Sequence, residues 1–317
     1  MNQNTIYSLE KVTINDSVQW LLIRGFDFSK PVLLYIQAGP GLPMIPEADA
    51  MERIHNLEKD FIVVYWDQRG CGKSFSKDIK NCTVTLQQMR DDTLECTRYL
   101  LSRFQRQKII MAGFSIGGSL AMMAANKNPE YYSSVVAVGA DLLMSETNRS
   151  AMEFAMSHAS FKRNKKAIKE LNSLADKPIL TPRQFQLRAK WLTDFGGIHR
   201  KSTYNKLVFA TMKNMIFSKE YSLVDVFKSI QGMDFVQRSL LPELNGLNLF
   251  QEINHLKVPV YFIQGAHDPL VPMVLTEKFF KHIKADKKEL IVFRDSSHMP
   301  HYEEPEFFRK ELLRVTK

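Results

Sequence analysis

The sequence predicts an α/β fold, in which a mainly parallel central sheet is covered by helices on both faces. Short apolar runs rich in β-branched residues alternate with helical patterns along much of the chain. The central runs are apolar throughout, as in strands that are buried on both faces. This alternation stops between about residues 142 and 255 and then resumes, which indicates a helical segment inserted into one α/β unit.

The first residues predict an antiparallel hairpin. The extended runs Tyr7–Ile14 and Val18–Ile23 are joined at Asn15-Asp16, a pair typical of tight turns. Six further strands are predicted along the chain. They are Val32–Ile36, Phe61–Tyr65, Lys108–Ala112, Ser134–Val138, Val258–Ile263 and Glu289–Phe293.

Helical patterns lie between these strands. The first begins at Thr85, an N-cap residue type with Gln88 three residues later, as in a capping box. Residues 142–255 contain many helix formers and no convincing strand, which predicts a helical cap inserted into a core made of residues 1–141 and 256–317. The predicted helices of the core are Thr85–Phe104, Ser115–Asn126, Met273–Ile283 and Pro305–Val315.

Composition indicates a globular protein without a membrane span. The 317 residues are 44% apolar and 24% charged, and no run approaches the roughly 18–20 apolar residues that cross a bilayer. The polar N-terminus lacks the pattern of a secretory signal. Cys71, Cys82 and Cys96 are widely spaced and predict free thiols, so we expect a cytoplasmic protein with no metal and no cofactor.

The net charge of +9 raises the question of a nucleic-acid partner. The densest basic segment, Phe161 to Glu170, lacks interleaved aromatic residues and matches no nucleic-acid module. A solvated helix face explains it better. We therefore expect a small-molecule or short-peptide substrate, and neither a nucleic acid nor a membrane as partner.

The sharpest local signal is the pentapeptide Gly113-Phe114-Ser115-Ile116-Gly117. It fits G-x-S-x-G and stands between a predicted strand and a helix, where a tight turn strains the serine backbone and exposes its hydroxyl. The N–H of Ile116 then points to where an oxyanion would form. Ser115 is the predicted nucleophile; the alternative is a glycine-rich turn with a capping serine.

A serine nucleophile needs a base, and the predicted chain order is serine, acid, histidine. Asp268 follows the strand that ends at Gly265, and His298 follows the next strand, so both emerge at the edge that carries Ser115. We predict that His298 is the base and that Asp268 orients it. The alternatives left open are His267 or His301 as the base and Asp295 as the acid.

The segment Gln37-Ala38-Gly39-Pro40-Gly41 follows another predicted strand. Glycine allows a backbone N–H to approach a substrate closely, and we assign Gly39 as the second oxyanion donor. Considered alone, the segment could be an ordinary glycine-proline turn.

The stretch "DQRGCGKS", Asp67 to Ser74, nearly matches the phosphate-binding pattern G-x-x-x-x-G-K-[ST]. Asp67 stands where the first glycine belongs. A phosphate loop leads directly into a helix, and the residues after Ser74 do not resemble a helix start. We therefore predict a structural loop in which Lys73 binds no phosphate.

Together these motifs resemble the α/β-hydrolase fold family, and within it the proline iminopeptidase (prolyl aminopeptidase) group. That group carries H-G-G-P-G, D-Q-R-G-x-G-x-S, G-x-S-x-G and a late Asp and His in this order. The matching positions are Gln37–Gly41, Asp67–Ser74, Gly113–Gly117, Asp268 and His298. The resemblance spans nearly the whole chain and implies a serine hydrolase with a helical cap, acting on a small amide or ester.

The chain departs from that group at three positions. Gln37 replaces the histidine of the first motif, Ala38 replaces its first glycine, and Ile116 stands where tryptophan is common. Backbone donors tolerate these changes, whereas recognition of an N-terminal proline depends on side chains. The group binds the substrate's ammonium with acidic cap residues, and candidates here are Glu146, Glu153, Asp234 and Glu243.

Three hypotheses follow for the activity. A peptidase of the iminopeptidase type needs a carboxylate aimed at the substrate amine. A carboxylesterase, or another small-acyl hydrolase of the same fold, needs only the core and an apolar pocket. A non-catalytic ligand-binding member of the fold is the third, and an intact set of Ser115, Asp268 and His298 argues against it.

Overall fold

The computed structural model describes residues 4–174 and 177–316. The strands are β1 (Ile6–Ile14), β2 (Ser17–Gly25), β3 (Val32–Ile36), β4 (Ile62–Asp67), β5 (Ile109–Phe114), β6 (Tyr132–Val138), β7 (His255–Leu256), β8 (Val260–Gly265), β9 (Lys284–Ala285) and β10 (Lys288–Phe293). The helices are α1 (Ala48–His55), α2 (Leu86–Phe104), α3 (Ile116–Lys127), α4 (Met144–Phe161), α5 (Lys165–Asn172), α6 (Pro182–Asp194), α7 (Tyr204–Phe217), α8 (Leu223–Leu244), α9 (Leu249–Glu252), α10 (Met273–His282), α11 (Pro300–Glu303) and α12 (Pro305–Thr316). Within these residues, none of the helices is both long and apolar enough to pass through a bilayer.

Eight strands form one sheet in the order β1-β2-β4-β3-β5-β6-β8-β10. The β1–β2 and β2–β4 pairs are antiparallel, and every pair from β4 to β10 is parallel. The mainly parallel sheet predicted from the sequence is therefore confirmed, and so is the N-terminal hairpin that extends it. The carboxyl ends of the parallel strands lie at one edge, where ligands bind in such sheets.

Helices cover both faces of the sheet. Along β3, side chains of alternate residues enter two separate apolar cores, with Leu34 in one and Leu33 and Tyr35 in the other. The first core is covered by residues of α2, α3 and α10, and the second by residues of α1 and α12. Burial on both sides explains why the central strands are apolar at every position.

Several predicted elements differ from the structure by one or two residues at their ends, and two local differences have a clear physical reason. The strand before Ser115 runs to Phe114 and not to Ala112, because Gly113 pairs with Ile36 on one side and Ala137 on the other. At the start of α2, the Thr85 side chain accepts a hydrogen bond from the Gln88 N–H (3.0 Å). Only this half of the capping box forms, since the Gln88 side chain donates to Asp92 instead (2.8 Å).

Helices α4 to α9 are inserted between β6 and β7. The insertion leaves and returns at one place, where Leu143 pairs with Asn248 and the Leu249 N–H donates to the Leu142 carbonyl (2.8 Å). Helices α4, α5 and α6 share a small core of their own. In contrast, α8 contributes Val236 and Leu240 to a core beneath the sheet, which fixes the insertion to the rest of the molecule.

The loop after β4 joins three parts of the chain through Asp67, which is fully buried. One carboxylate oxygen accepts hydrogen bonds from the Met44 N–H (2.8 Å) and the Ile45 N–H (3.0 Å). The other accepts from the Lys73 N–H (2.9 Å) and from the Tyr221 hydroxyl in the insertion. Residues Gly72–Ser74 form a short 3₁₀ turn, and the next α-helix begins only at Leu86, so the near-match leads into no helix.

Candidate active site

Ser115 occupies the turn between β5 and α3. Its backbone has φ 52° and ψ −123°, a region that non-glycine residues rarely adopt. Such a conformation costs on the order of 1–3 kcal/mol and persists only where surrounding contacts enforce it. Here the Ser115 N–H donates to the Val138 carbonyl and the Gly118 N–H to the Ser115 carbonyl, both at 2.8 Å.

The glycines around Ser115 are required by close backbone contacts. A Cβ atom on Gly113 would lie 2.2 Å from the Gly117 carbonyl oxygen. One on Gly117 would lie 2.3 Å from the carbonyl oxygens of both Ile36 and Gln37. Helix α3 therefore begins directly against the loop that follows β3, and any side chain at Gly117 would displace it.

The structure brings Ser115, His298 and Asp268 together from three strand ends. His298 Nε2 lies 3.1 Å from Ser115 Oγ, and His298 Nδ1 lies 2.8 Å from Asp268 Oδ2. Asp268 is held in turn by the N–H groups of Leu270 (2.8 Å) and Val271 (3.1 Å) and by the Gln264 side chain (2.9 Å). This geometry fits a base that can remove the serine proton while a fixed carboxylate orients it.

The environment of His298 favours its protonated form. Burial by itself lowers the pKa of His298, but the charge and hydrogen bond of Asp268 act in the opposite direction. The carboxylates of Asp141 and Glu303 act with Asp268, and the net result is a pKa raised above the usual imidazole value. A raised pKa strengthens His298 as a proton acceptor.

The three alternative residues lie elsewhere. His267 is exposed on its turn. The His301 ring is buried against Phe114, with ring centroids 4.3 Å apart, and burial holds its pKa well below the usual range. The Asp295 side chain is 84% exposed and faces Arg200 at 3.8 Å. None of the three contacts Ser115 or His298 through a hydrogen bond between described residues.

The assigned oxyanion donors lie on the two segments beside Ser115, the start of α3 and the loop after β3. Ile116 is the first residue of α3, and Gly39 has φ 114° in the loop after β3. Among the described residues, neither N–H donates a hydrogen bond, so both are free to meet a ligand. The contact between Gly117 and the Gln37 carbonyl brings the two loops together.

Asp141 also contacts the serine, and the sequence analysis missed it. Its Oδ2 lies 3.1 Å from Ser115 Oγ, the same distance as His298 Nε2. The residue follows β6 through Gly139 and Ala140 and is 6% exposed. Burial raises the pKa of Asp141, while His298, Ser115 and Arg188 act in the opposite direction. An acid just beyond a strand end was the signal used for Asp268, and it applied equally here.

The insertion contributes a buried cation near Asp141. Arg188 on α6 is 6% exposed and donates a hydrogen bond to the Asn148 side chain. Burial lowers the pKa of Arg188 to about 10, and the charge of Asp141 partly offsets this effect. No ion pair to Arg188 is formed by the residues that the structure describes.

Among the described residues, none of the four candidate cap carboxylates forms a hydrogen bond with Ser115, and each has another partner. Glu146 and Glu153 pair with Arg149 on the exposed face of α4. Asp234 pairs with Arg238 on α8 (2.6 Å) in the same way. The fourth, Glu243, accepts a hydrogen bond from the N–H of the first residue of α2 (3.0 Å). These residues are a solvated surface and a helix cap, and the amine-binding role considered for them is not supported by their positions.

Comparisons with known proteins identify the family and the fold. Residues 31–305 match the family model described as alpha/beta hydrolase fold. The chain is 28% identical to "Probable aminopeptidase YbaC" of Bacillus subtilis (strain 168), over 98% of this chain and 97% of that protein. It is 21% identical to "Proline iminopeptidase" of Thermoplasma volcanium, over 90% and 88%. The crystal structure of proline iminopeptidase from Mycobacterium smegmatis has a similar fold, with a TM-score of 0.68, 19% identity and coverage of 98% and 97%.

Proposed function

The chain belongs to the α/β-hydrolase fold family, and we propose that it is a serine hydrolase that cleaves a small amide or ester by acyl transfer, most like a proline iminopeptidase. One observation carries the mechanism. The strained Ser115 hydroxyl lies 3.1 Å from His298 Nε2, and His298 Nδ1 lies 2.8 Å from Asp268. Ser115 is the nucleophile in this proposal, His298 the base, and Asp268 the residue that orients the imidazole.

In the first step, Ser115 Oγ forms a bond to the substrate carbonyl carbon. The hydroxyl proton passes to His298 Nε2, and the carbonyl π electrons move to oxygen. The N–H groups of Gly39 and Ile116 stabilise that oxyanion, and Asp268 stabilises the imidazolium. The oxyanion then re-forms the carbonyl, the bond to the leaving nitrogen or oxygen breaks, and the leaving group takes the proton from His298.

In the second step, water attacks the acyl-enzyme. His298 accepts a proton from the water, whose oxygen bonds to the carbonyl carbon. Collapse of this second tetrahedral intermediate breaks the bond to Ser115 Oγ, which regains its proton from His298. The products are a carboxylic acid and a free amine or alcohol. The chemistry uses protein groups alone, and we propose no metal and no cofactor.

The departure at Gln37 is compatible with this mechanism. Gln37 is 3% exposed, and its side-chain amide donates to Cys71 Sγ at 3.1 Å. Its side chain therefore links the loop after β3 to the loop after β4, which is a structural role. The helical insertion of residues 142–255 acts as a cap over the core, and a cap limits access and excludes water. This favours a small-molecule or short-peptide substrate.

An esterase or another acyl hydrolase is the second candidate activity. Ile116 replaces the tryptophan common in iminopeptidases, and the four candidate cap carboxylates bind other groups of the protein. We also propose a cytoplasmic location, which the free thiols of Cys71, Cys82 and Cys96 support.

Paired rate assays on wild type, Ser115→Ala and Ser102→Ala test the proposal. Ser102 is an exposed serine on α2 and provides the matched control. We expect wild type and Ser102→Ala to hydrolyse L-proline p-nitroanilide, and Ser115→Ala to be slower by about 10³-fold or more. Turnover of a short-chain nitrophenyl ester alone would favour the esterase.

Labelling with a fluorophosphonate provides a test that does not depend on the choice of substrate. We expect mass spectrometry to find the probe on Ser115 in wild type and no label in Ser115→Ala. An unlabelled Ser115 in a folded wild-type protein would contradict the nucleophile assignment. Equal rates for Ser115→Ala and wild type would contradict it as well.

A further inference from the structure

An exposed apolar surface lies where α7 ends and α8 begins. Residues 216–230 carry six large apolar side chains whose exposed fractions range from 45% to 74%. We call this set the α7–α8 corner, and its members are Ile216, Phe217, Leu223, Val224, Phe227 and Ile230. Single exposed apolar residues are ordinary on a protein surface, whereas a cluster of them marks a site of contact with another molecule.

The apolar side chains lie on the outer faces of the two helices. Leu223, Phe227 and Ile230 are spaced i, i+4 and i+7, so they share one face of α8. On α7, the exposed Phe209 precedes Ile216 by seven residues and extends the apolar face along that helix. Side chains as exposed as these project from the surface and do not line a groove.

Contacts with the core hold the corner in place. The Tyr221 N–H donates to the Ser218 carbonyl (3.4 Å), which closes the turn between the two helices. The Tyr221 hydroxyl donates to the buried Asp67, and Lys73 Nζ donates to the Glu220 carbonyl at 2.8 Å. A fixed backbone therefore presents the apolar side chains to solvent, and a binding partner needs no rearrangement to reach them.

The charges of this part of the chain are mainly positive. Its two acids are engaged with the protein, since Asp225 lies 2.8 Å from Lys73 Nζ and Glu220 accepts a hydrogen bond from the Ser218 hydroxyl (2.7 Å). Neither acid is exposed. Residues 201–231 also contain five lysines, which form no ion pair within the described part of the chain: Lys201, Lys206, Lys213, Lys219 and Lys228. The corner is thus an apolar surface in a positive local field.

We propose that the α7–α8 corner binds the surface of a bilayer that contains anionic phospholipid. The apolar side chains enter the boundary between the head groups and the acyl chains, where they leave water. The neighbouring lysines are attracted to the lipid phosphates. One partner thereby satisfies both properties of the surface, its apolar side chains and its unpaired positive charges.

A second copy of the chain fits this surface less well. In a two-fold dimer the same patch meets itself, so the lysines of the two copies would approach each other without an exposed carboxylate from this segment to pair with them. A standard protein interface also uses roughly 20–30 residues on each side, which is more than one corner offers. A bilayer needs no matching shape, and a small projecting patch is enough.

This inference revises one expectation drawn from the sequence. The expectation that no membrane is a partner rested on the length of apolar runs, which bears on spanning segments and not on surface contact. Within residues 216–230, apolar residues alternate with polar ones, and no local pattern shows which of them the core covers. The inference does not depend on the acyl transfer proposed for Ser115.

Co-sedimentation of the full chain with vesicles tests the inference. One set of vesicles is phosphatidylcholine alone, and the other contains about one quarter phosphatidylserine. We expect wild type to bind the second set at least about tenfold more strongly, and added salt to weaken that binding.

The apolar contribution is tested with the double variant Phe217→Ser, Phe227→Ser. We expect its partition coefficient on the mixed vesicles to fall at least about tenfold, because two apolar side chains no longer leave water. The matched control is Phe161→Ser, Val274→Ser, which replaces two exposed apolar residues on α4 and α10. We expect the control to bind as wild type does.

Charge reversal tests the contribution of the lysines. We expect Lys213→Glu, Lys219→Glu to weaken binding to the mixed vesicles at least about tenfold. The control Lys165→Glu, Lys169→Glu makes the same change in net charge on α5, in the densest basic segment of the chain. We expect this control to stay within about twofold of wild type, because salt screens charges that lie far from the bilayer.

The possible results decide the inference in either direction. Equal binding of wild type to the two sets of vesicles would overturn it, and so would equal losses in the corner variants and their controls. A dimer that ultracentrifugation finds in wild type without lipid, and that the Phe217→Ser, Phe227→Ser variant loses, would assign the surface to a second copy instead. We expect every variant to unfold at the wild-type temperature, since the changed side chains are exposed, so a loss of binding reports on the surface and not on the fold.

Discussion

At the residue scale, the chemistry of the site depends on how firmly Asp268 is held. Its carboxylate accepts hydrogen bonds from Leu270, Val271 and Gln264 as well as facing His298. The Asp268 side chain is completely buried, so it cannot rotate away to solvent. An amide at this position would present an N–H to an imidazole nitrogen that needs an acceptor, and the wrong tautomer would result.

We therefore predict that Asp268→Asn lowers kcat by about 10⁴-fold and moves the acidic limb of the pH–rate profile to lower pH. Activity requires neutral His298, so the wild-type rate rises with pH through a value above the usual imidazole pKa. Asp268, Asp141 and Glu303 raise the pKa of His298, whereas burial lowers it. Asp268→Asn removes the charge of Asp268, so we expect it to lower the pKa of His298. The measurement is kcat/KM between about pH 5 and 9.

Asp295→Asn provides the control for this experiment. Asp295 lies three residues before His298, but its side chain is 84% exposed. We expect its pH profile to match that of wild type. An acidic limb that stayed in place in Asp268→Asn would show that Asp268 does not set the pKa of the base. His301 also lies nearby, but burial holds its pKa well below the usual range, so we expect it to titrate at lower pH than His298.

Sequence reasoning at this scale placed the predicted site residues by their positions after strands. Ser115, Asp268 and His298 each follow a strand that ends at the same edge of the sheet. The position of Asp141 after β6 obeys the same rule, but the sequence analysis looked for the acid only after the last two predicted strands. The sequence left both His298 and His301 open as the base. In the structure His298 faces Ser115 and His301 packs on Phe114, an outcome that long-range packing decides.

At the scale of elements, the turn between β5 and α3 is limited by backbone contacts with β3. Gly117 has no positive φ, so its need for glycine comes from crowding alone. We predict that Gly117→Ala destabilises the protein by about 3 kcal/mol, because its Cβ would overlap two carbonyl oxygens that cannot rotate away. Urea unfolding monitored by fluorescence measures the change.

Gly246→Ala is the matched control. A Cβ atom on Gly246 would lie 3.4 Å from the Glu243 carbonyl oxygen, which is an ordinary contact. We expect this variant to lie within about 0.5 kcal/mol of wild type, as is usual for substitutions away from close contacts. Equal stabilities of the two alanine variants would contradict the steric explanation. The loop after β3, which carries the proposed oxyanion donor Gly39, lies against Gly117, so we expect only Gly117→Ala also to lower kcat.

The existence of these elements could be predicted more readily than their ends. The apolar run before Ser115 indicated a strand, but Gly113 read as the start of a turn. In the structure, Gly113 is a strand residue because Ile36 and Ala137 pair with it from both sides. Those partners are far away in the sequence, so no local pattern reveals the register. Likewise, Gln88 bonds to Asp92 one helical turn later rather than completing the cap.

At the scale of the whole molecule, a short ionic network fixes the insertion to the core. Lys73 Nζ lies 2.8 Å from Asp225 Oδ2 on α8 and donates to the Glu220 carbonyl at 2.8 Å. The same ammonium lies over the Trp20 ring, 5.0 Å from its centroid. Both charged side chains are largely buried. Lys73, which a phosphate loop would use for its ligand, is here fully engaged with the protein itself.

A double-mutant cycle with Lys73→Met and Asp225→Asn measures this link. We predict a coupling energy of about 1–3 kcal/mol, because each single change leaves the other partner buried without its counter-ion. The exposed pair Asp234 and Arg238 on the same helix is the control, with about 0.5 kcal/mol or less expected. Equal coupling energies for the two pairs would contradict a special role for Lys73.

The overall architecture followed from the alternation of strand and helix patterns, since each buried strand needs helices on both of its faces. The helical character of residues 142–255 could be predicted for the same reason, by the lack of strand-like runs. Which helices of this segment pack on the core could not be predicted. Val236 and Leu240 of α8 enter a core beneath the sheet, whereas α4, α5 and α6 pack on one another. An amphipathic pattern shows that one face of a helix is buried, but it does not show which element that face contacts.

The buried carboxylate of Asp67 gives a physical reason to expect that the near-match to a nucleotide motif binds no nucleotide. Phosphate loops offer backbone N–H groups to an anion that arrives from solution. Here Asp67 occupies the position of the missing glycine, and its two oxygens accept bonds from the Met44, Ile45 and Lys73 N–H groups. The Asp67 carboxylate thus occupies these N–H groups from within the chain. Because it is covalently attached, its effective concentration exceeds that of a free phosphate. The single residue that breaks the motif is also the one that supplies the anion.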